Sequence, residues 1–151
     1  MKKKNIRVSK NVKETAEIAK TFLSKILKEK KATRGATIVC LSGNLGAGKT
    51  AFTQCVAKHL DIKNKITSPT FVIIKNYELK ITNYKKLFHI DAYRLKNEKE
   101  LLHLGWEEII ADESCLVFIE WPENVQKIIP KHAKFIYISH GEKNKRILEL
   151  K

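Results

Sequence analysis

The chain has 151 residues, of which 43% are hydrophobic and 30% are charged, and its formal net charge at pH 7 is +14. This length predicts one domain over residues 1–151, and the composition is that of a soluble globular protein. The sequence contains no run of about 18 apolar residues, so a transmembrane helix and a membrane partner are not expected. The basic N-terminus lacks the apolar stretch of a secretory signal.

The positive charge has two interpretations. A clustered charge would form an electropositive face for nucleic acid or another polyanion. The basic residues are mostly lysines, however, and they are scattered along the chain without interleaved aromatic residues. That dispersal is more typical of an evenly solvated surface than of a nucleic-acid groove.

Three cysteines, Cys40, Cys55 and Cys115, are widely spaced and form no C-x-x-C pair. This spacing argues against a disulfide framework and against a zinc site. We therefore predict three buried thiols in a reducing, cytoplasmic environment.

Helix and strand signals alternate along the first half of the chain. Asn11 with Glu14 predicts the start of a first helix, because apolar residues follow at helical spacing. The nearly all-apolar run 36–42 predicts a strand covered on both faces. Residues 50–60 predict a second helix, and residues 68–79 predict a loop that enters another strand.

The second half continues this alternation. Residues 85–95 predict a strand, and Asn97 with Glu100 predicts a short helix that Gly105 ends. The remaining elements, in order, are a strand at 115–121, a short helix at 122–129 and a C-terminal hairpin of 134–140 with 145–151. Such alternation predicts an α/β fold with a mainly parallel central sheet and antiparallel additions.

The segment "GNLGAGKT" satisfies the pattern G-x-x-x-x-G-K-[ST] of a phosphate-binding loop (P-loop). Glycines let backbone N–H groups surround phosphate oxygens, and the following helix adds its positive end. Lys49 is predicted to reach the β- and γ-phosphates, and the Thr50 hydroxyl to ligate Mg²⁺. A strand before the loop and a helix after it predict a P-loop NTPase-like three-layer fold. The predicted nucleotide-binding residues here are Gly43, Asn44, Leu45, Gly46, Ala47, Gly48, Lys49, Thr50 and Ala51.

Such a site also needs an acid near the metal, usually at the end of an apolar strand. Glu120 ends "LVFIE" and Asp91 lies in "LFHIDAYR", so both are candidates and Glu120 is the stronger one. His89, Asp91 and Tyr93 alternate along one predicted strand and indicate a polar active-site edge. A His-x-Asp metal site is the alternative, but no third ligand is evident. The guanine-specific N-K-x-D element is absent, which favours ATP and ADP over GTP.

Four blocks occur in order: "GNLGAGKTAF", "TSPTFVIIKNYE", "LFHIDAYRL" and "CLVFIEWPE". Their combination resembles the TsaE (YjeE) family, small P-loop ATPases of tRNA threonylcarbamoyladenosine biosynthesis, from about Val8 to the C-terminus. The resemblance implies Mg²⁺-dependent ATP binding and slow hydrolysis to water. It also implies action with the TsaD–TsaB pair, which transfers the threonylcarbamoyl group to the adenosine beside the tRNA anticodon.

The resemblance assigns roles to individual residues. Lys49, Asp91 and Glu120 would be catalytic, with both acids beside the magnesium and the attacking water. Thr50 and Glu120 would bind the metal, and Trp121 would lie beside the nucleotide, against its base or ribose. A mobile switch-like loop over the nucleotide would consist of Thr67, Ser68, Pro69, Thr70 and Phe71.

Two positions depart from the family's common pattern. Ala51 stands where a second threonine is frequent, so any contact from that hydroxyl is lost. Trp106 replaces a smaller apolar residue, which we expect to alter a surface used by partners.

Arg94 either supplies charge to the site or is a solvated strand-end arginine. The alternative functions are a small-molecule kinase, a nucleotide-gated adaptor without hydrolysis, and direct tRNA binding through the basic surface.

Overall fold

A seven-stranded sheet forms the centre of the computed structural model, which describes residues 4–29, 34–67, 71–80 and 82–151. Labelled in chain order, the strands across the sheet are β1 (Asn5–Ser9), β7 (Arg146–Leu150), β6 (Lys134–His140), β2 (Thr37–Ser42), β5 (Cys115–Glu120), β4 (Lys86–Asp91) and β3 (Ile74–Glu78). Strands β6, β2, β5 and β4 are parallel, and the other three pairings are antiparallel. The parallel centre and the C-terminal hairpin are confirmed. The prediction of a mainly parallel sheet is only partly right, because half of the pairings are antiparallel.

The helices of the described residues are α1 (Val12–Lys28), α2 (Lys49–His59), α3 (Glu98–His103) and α4 (Trp106–Ala111), with 3-10 turns at Pro122–Ile128 and Glu142–Asn144. Both predicted N-caps are present. The Asn11 side chain accepts a hydrogen bond from Glu14 N at 2.9 Å, and the Asn97 side chain accepts one from Lys99 N at 3.0 Å. These bonds satisfy backbone N–H groups that a helix start leaves without partners.

Alternation along the strands divides the core between two faces of the sheet. In β2, Val39 and Leu41 pack with α1 and α2, whereas Ile38 and Cys40 pack on the opposite side with residues of α3, α4 and the Pro122–Ile128 turn. Successive side chains of a strand point to opposite faces, so a strand that is apolar throughout must be covered on both. The predicted three-layer α/β architecture is confirmed.

Of three local features, one is as predicted and two differ from the prediction. The strand predicted over 85–95 ends at Asp91, since a turn begins where Leu95 N donates to Ala92 O. Gly105 ends α3, as predicted: with φ at 92° it follows the C-cap residue Leu104, and the separate helix α4 begins at the next residue. Strand β1 has no counterpart in the predicted elements, because its five residues are mostly exposed and it forms only by pairing with β7.

Trp106 belongs to the core. Its side chain is completely buried, and its Nε1 donates to Ile128 O at 3.1 Å. The expectation that Trp106 alters a partner surface is therefore wrong: the larger side chain fills the space between α4 and the Pro122–Ile128 turn.

The three cysteines are free and buried, as predicted. Burial, with a smaller contribution from the charge of Glu123, raises the pKa of Cys40 to about 12. Within the described ranges, none of the helices has the length and apolar character that a membrane crossing requires.

Trp106→Ala should lower the free energy of unfolding by about 3–5 kcal/mol, because it leaves a large cavity in the second core. Urea denaturation of both proteins measures this loss. Trp106→Phe is the matched control: it keeps an aromatic ring in the core and removes the bond to Ile128 together with a smaller part of the packing, so it should cost clearly less. A loss of under about 1 kcal/mol in the alanine variant would contradict the assignment to the core.

Candidate functional site

The carboxyl ends of three neighbouring parallel strands form one edge of the sheet. Strand β2 leads there into the P-loop, and Glu120 of β5 is in register with Leu41 of β2 and Asp91 of β4. Strand alternation turns Glu120 and Asp91 towards the layer of α1 and α2, where helix α2 begins. The topology therefore brings together two acids and the P-loop that are far apart in the sequence.

Two glycines allow the tight course of the P-loop. A Cβ atom at Gly43 would lie 2.4 Å from Ile138 O, so no larger residue fits between the loop and β6. Gly48 has φ at 114°, a left-handed conformation that favours glycine, and α2 begins at the next residue. Ala47 is buried, whereas Asn44, Leu45 and Gly46 are exposed at the tip of the loop.

Lys49 is buried at the start of α2. Its Nζ donates to Gly43 O and to Asn44 O, the latter at 3.1 Å, and lies 4.2 Å from the centroid of the Trp121 ring. Burial lowers the pKa of Lys49, and the negative charges of Glu120, Asp91 and Glu123 oppose that shift. The ammonium thus lies among acceptors and acids at the mouth of the loop.

Thr50 and Glu120 are in contact. Thr50 Oγ1 donates to the Glu120 carboxylate, at 3.1 Å from Oε1 and 3.0 Å from Oε2, and His89 Nε2 lies 2.6 Å from the same Oε2. Asp91 is also buried, and its Oδ1 accepts from Tyr93 N at 2.9 Å in the turn after β4. Tyr93 is therefore outside the strand on which the sequence placed it, although the predicted polar edge of His89 and Asp91 is present.

Trp121 lies between the P-loop and the turn after β4. It has φ at 57°, which is uncommon for a bulky residue, and its ring centroid is 5.0 Å from that of Tyr93. The Asn124 side chain donates to Ala92 O at 2.9 Å and ties the two turns together. Trp121 consequently contacts the lysine of the loop, and its predicted role at a base or ribose stays a prediction.

The described ends of the switch-like loop are anchored differently. Thr67 Oγ1 accepts from Lys75 Nζ at 2.7 Å, whereas the side chain of Phe71 is 82% exposed. The Arg94 guanidinium lies over the Phe71 ring, with Cζ 4.2 Å from the centroid. Ser68, Pro69 and Thr70, the other predicted members of the loop, lie outside the described residues.

Sequence reasoning missed two features of this site. Glu123 accepts a hydrogen bond from Ser42 Oγ, so a third acid lies beside the P-loop; its position in "EWPE" was the available signal. A cavity of about 180 Å³ adjoins the loop at Gly48, and it is lined by Ser9, Asn11, Val12, Thr15, Ala47, Gly48, Ala51, Ile138, Asn144, Arg146 and Leu148. No sequence signal links the N-terminal strand and the C-terminal hairpin that form its walls.

The donor set at Thr50 fits Mg²⁺. The Thr50 hydroxyl directs its hydrogen to Glu120, which leaves its oxygen lone pairs for a metal, and Glu120 adds carboxylate oxygens. Mg²⁺ prefers oxygen ligands and usually takes only one or two from the protein, the rest coming from phosphates and water. Among the described residues, no group of three or more His, Cys, Asp or Glu side chains is arranged as a metal site.

Comparison with known proteins decides the family. The family model described as "Threonylcarbamoyl adenosine biosynthesis protein TsaE" matches residues 9–148. The chain belongs to the TsaE family. It is 34% identical to the tRNA threonylcarbamoyladenosine biosynthesis protein TsaE of Rickettsia typhi, an alignment that covers 92% of this chain and 89% of that one. The TsaE of Borreliella burgdorferi is 36% identical, over 75% of this chain and 80% of the relative.

A solved structure has the same fold. The crystal structure of Bacillus subtilis YdiB matches with a TM-score of 0.75 at 27% identity, covering 99% of this chain and 86% of that one. The chain is thus a TsaE-family protein of tRNA threonylcarbamoyladenosine biosynthesis with an α/β fold.

The lowered pKa of Lys49 predicts a pH-dependent stability. Between the folded-state pKa and the ordinary value of 10.5, the unfolded chain binds more protons than the folded chain, so the lysine's contribution to stability rises with pH in that window. Lys49→Met removes this rise. Denaturant unfolding from pH 7 to 10 should therefore show the variant losing stability relative to the parent as the pH increases. Lys58→Met, at an exposed position of the same helix, controls for the lost charge, and a difference independent of pH would contradict the prediction.

Proposed function

We propose that the chain binds ATP with Mg²⁺ and hydrolyses it to ADP and phosphate in support of the TsaD–TsaB pair. The observation that carries this proposal is the meeting of a P-loop with a strand-end acid: Thr50 Oγ1 is 3.0 Å from Glu120 Oε2, and Lys49 lies at the same helix start. In P-loop proteins, a lysine, a hydroxyl and an acid in this arrangement hold the β- and γ-phosphates and their metal.

The triphosphate would lie in the P-loop, against the first turn of α2. Backbone N–H groups of the loop and of the helix start are donors for phosphate oxygens. The Lys49 ammonium already donates to carbonyls of the loop, at 3.1 Å for Asn44 O, so it lies within reach of a phosphate bound there. Its burial strengthens that attraction, because charges interact more strongly away from water.

Thr50 and Glu120 would hold Mg²⁺, which supplies positive charge to the phosphate oxygens when bound. Asp91 is our candidate for orienting the attacking water, since it is buried and is in register with Glu120 on the next strand. In the reaction the water oxygen bonds to the γ-phosphorus, and the bond from that phosphorus to the β-phosphate oxygen breaks as ADP leaves. The protein contributes positioning and charge rather than covalent chemistry.

The cavity beside Gly48 is the most suitable place for the adenine base. It adjoins the loop at Ala47, Gly48 and Ala51, and its other walls are largely apolar, as a stacked base requires. Arg146 also lines it, with its Nε 3.9 Å from the position that a Cβ at Gly48 would take. A base in this cavity would leave Trp121 at the phosphate end of the nucleotide.

Two features support dependence on protein partners. Arg94 is engaged with Phe71, so we expect slow turnover until a partner moves the loop or supplies a charge at the γ-phosphate. Large apolar side chains are exposed around the site: Leu45 at 74%, Phe71 at 82%, Val72 at 60% and Tyr93 at 47%. Exposed apolar residues grouped at a functional site are typical of a protein interface.

ATP hydrolysis by the purified protein, alone and with TsaD–TsaB and tRNA, tests the proposal. We expect Mg²⁺-dependent hydrolysis that partners stimulate strongly. Glu120→Ala should keep most ATP binding but lose hydrolysis by about 10²-fold or more, since it removes a charge that acts at the phosphates. Lys49→Ala should lose nucleotide binding itself.

Different failures have different meanings. Unchanged hydrolysis in Lys49→Ala would contradict the site. ATP binding without hydrolysis under every condition would favour the nucleotide-gated adaptor. Rapid hydrolysis that TsaD–TsaB does not stimulate would contradict the proposed dependence on these partners. Direct tRNA contact through the +14 charge would appear as binding that weakens steeply with salt.

Ala51→Leu tests the base cavity. The added side chain fills the cavity, so ATP affinity should fall by about tenfold or more. Affinity for inorganic tripolyphosphate, which has no base, should change little. Ala51→Ser is the matched control, because serine adds much less volume than leucine. If Ala51→Leu lowered the affinity for ATP and for tripolyphosphate equally, that result would contradict this placement of the base.

A further inference from the structure

His89 occupies an unusual position for a polar side chain. It lies inside β4, its side chain has no exposed surface, and its Nε2 is 2.6 Å from Glu120 Oε2. Its other ring nitrogen, Nδ1, is buried and has no hydrogen-bond partner among the residues that the structure describes. A buried polar atom without a partner is unfavourable for folding, so this histidine calls for an explanation in the site.

The direction of the hydrogen bond follows from the chemistry of the two groups. The Glu120 carboxylate already accepts from the Thr50 hydroxyl, and an ionised carboxylate has no hydrogen to donate. His89 therefore carries its hydrogen on Nε2 and donates it to Oε2. In this tautomer Nδ1 is an acceptor, and it is the ring nitrogen that has no partner among the described residues.

The flexibility of the Glu120 side chain indicates what the hydrogen bond from His89 does. Glutamate has one more rotatable bond than aspartate, so Glu120 at the end of β5 has greater freedom to place its two oxygens. The hydrogen bond from Thr50 does not distinguish the two oxygens, because Thr50 Oγ1 is nearly equidistant from Oε1 and Oε2, at 3.1 Å and 3.0 Å. His89 contacts only Oε2 among the two, and that contact fixes the rotation of the carboxylate.

We propose that His89 is a positioning residue: it holds Glu120 Oε2 and thereby presents the carboxylate in one orientation to the metal of the nucleotide. This inference rests on the proposed function, because it concerns the same acid. A group that hydrogen-bonds to a metal-ligating side chain, without contacting the metal itself, sets the orientation of that ligand. Loss of such a group typically lowers metal affinity by about 10- to 100-fold. His89 does not touch the substrate, and it acts through Glu120.

Three substitutions at His89 separate positioning from packing. The side-chain nitrogen of glutamine is as many bonds from the backbone as His89 Nε2, whereas that of asparagine corresponds to Nδ1. His89→Gln can therefore keep the donor to Glu120, and His89→Asn cannot, although both are amides of similar polarity. His89→Leu removes the donor entirely and keeps a side chain that suits a core.

The measurement is the affinity for a non-hydrolysable ATP analogue by calorimetry, with Mg²⁺ and with EDTA. In the parent protein, Mg²⁺ should tighten binding. His89→Asn and His89→Leu should need about 10- to 100-fold more Mg²⁺ for the same gain, while their affinity in EDTA stays unchanged. His89→Gln should recover most of the Mg²⁺ response. Thermal unfolding of each variant reports separately on the fold.

Two results would overturn the inference. One is a Mg²⁺ response in His89→Asn and His89→Leu equal to that of the parent. The other is a loss of affinity in EDTA that follows the loss of thermal stability across all three variants, which is the pattern of a packing residue. A parent protein that binds no nucleotide, or whose binding ignores Mg²⁺, would instead overturn the proposed function and this inference with it.

Discussion

The hydrogen bond between Thr50 and Glu120 is the contact on which the site depends. It joins the first turn of α2 to the end of β5, and it requires β2 and β5 to be adjacent and parallel in the register that pairs Leu41 with Glu120. A shift of β5 by one residue would turn its side chains to the opposite face of the sheet. The apolar side chains of both faces oppose that shift, so the packing of the two cores also holds the acid at the P-loop.

The site concentrates charge in a region with little water. Lys49 and Glu120 are 5% and 3% exposed, and Asp91 is 3% exposed. Burial of an ammonium is unfavourable, as the lowered pKa of Lys49 reflects, and the surrounding acids and carbonyls offset that cost. A phosphate chain would meet this ammonium at short range in a medium that weakens the attraction much less than water does. Under the proposed function, a bound metal would offset the repulsion between these three acids and a triphosphate.

Much of this site could be predicted from local sequence. The P-loop pattern requires no tertiary information, because its glycines, lysine and threonine all lie within residues 43–50. Glu120 was accessible as an acid after four apolar residues, and the two N-caps at Asn11 and Asn97 follow from side-chain bonds that span only a few residues. Trp106 shows the opposite case. Its burial depends on α4 packing against the Pro122–Ile128 turn, and no local pattern in the sequence indicates that contact.

The sequence by itself determined the alternation of strands and helices, the residue pattern of a phosphate-binding loop, the candidate acids and, through four ordered blocks, the resemblance to the family. Only the tertiary structure decided which groups meet: Thr50 with Glu120, His89 with the same carboxylate, Glu123 with Ser42, and the N-terminal strand with the C-terminal hairpin around the cavity at Gly48. The physical reason is the sequence distance over which each interaction acts. Propensity, capping and loop motifs act over a few residues, whereas strand order and register are set by burial of the whole sheet between two helical layers, and that burial brings distant residues together.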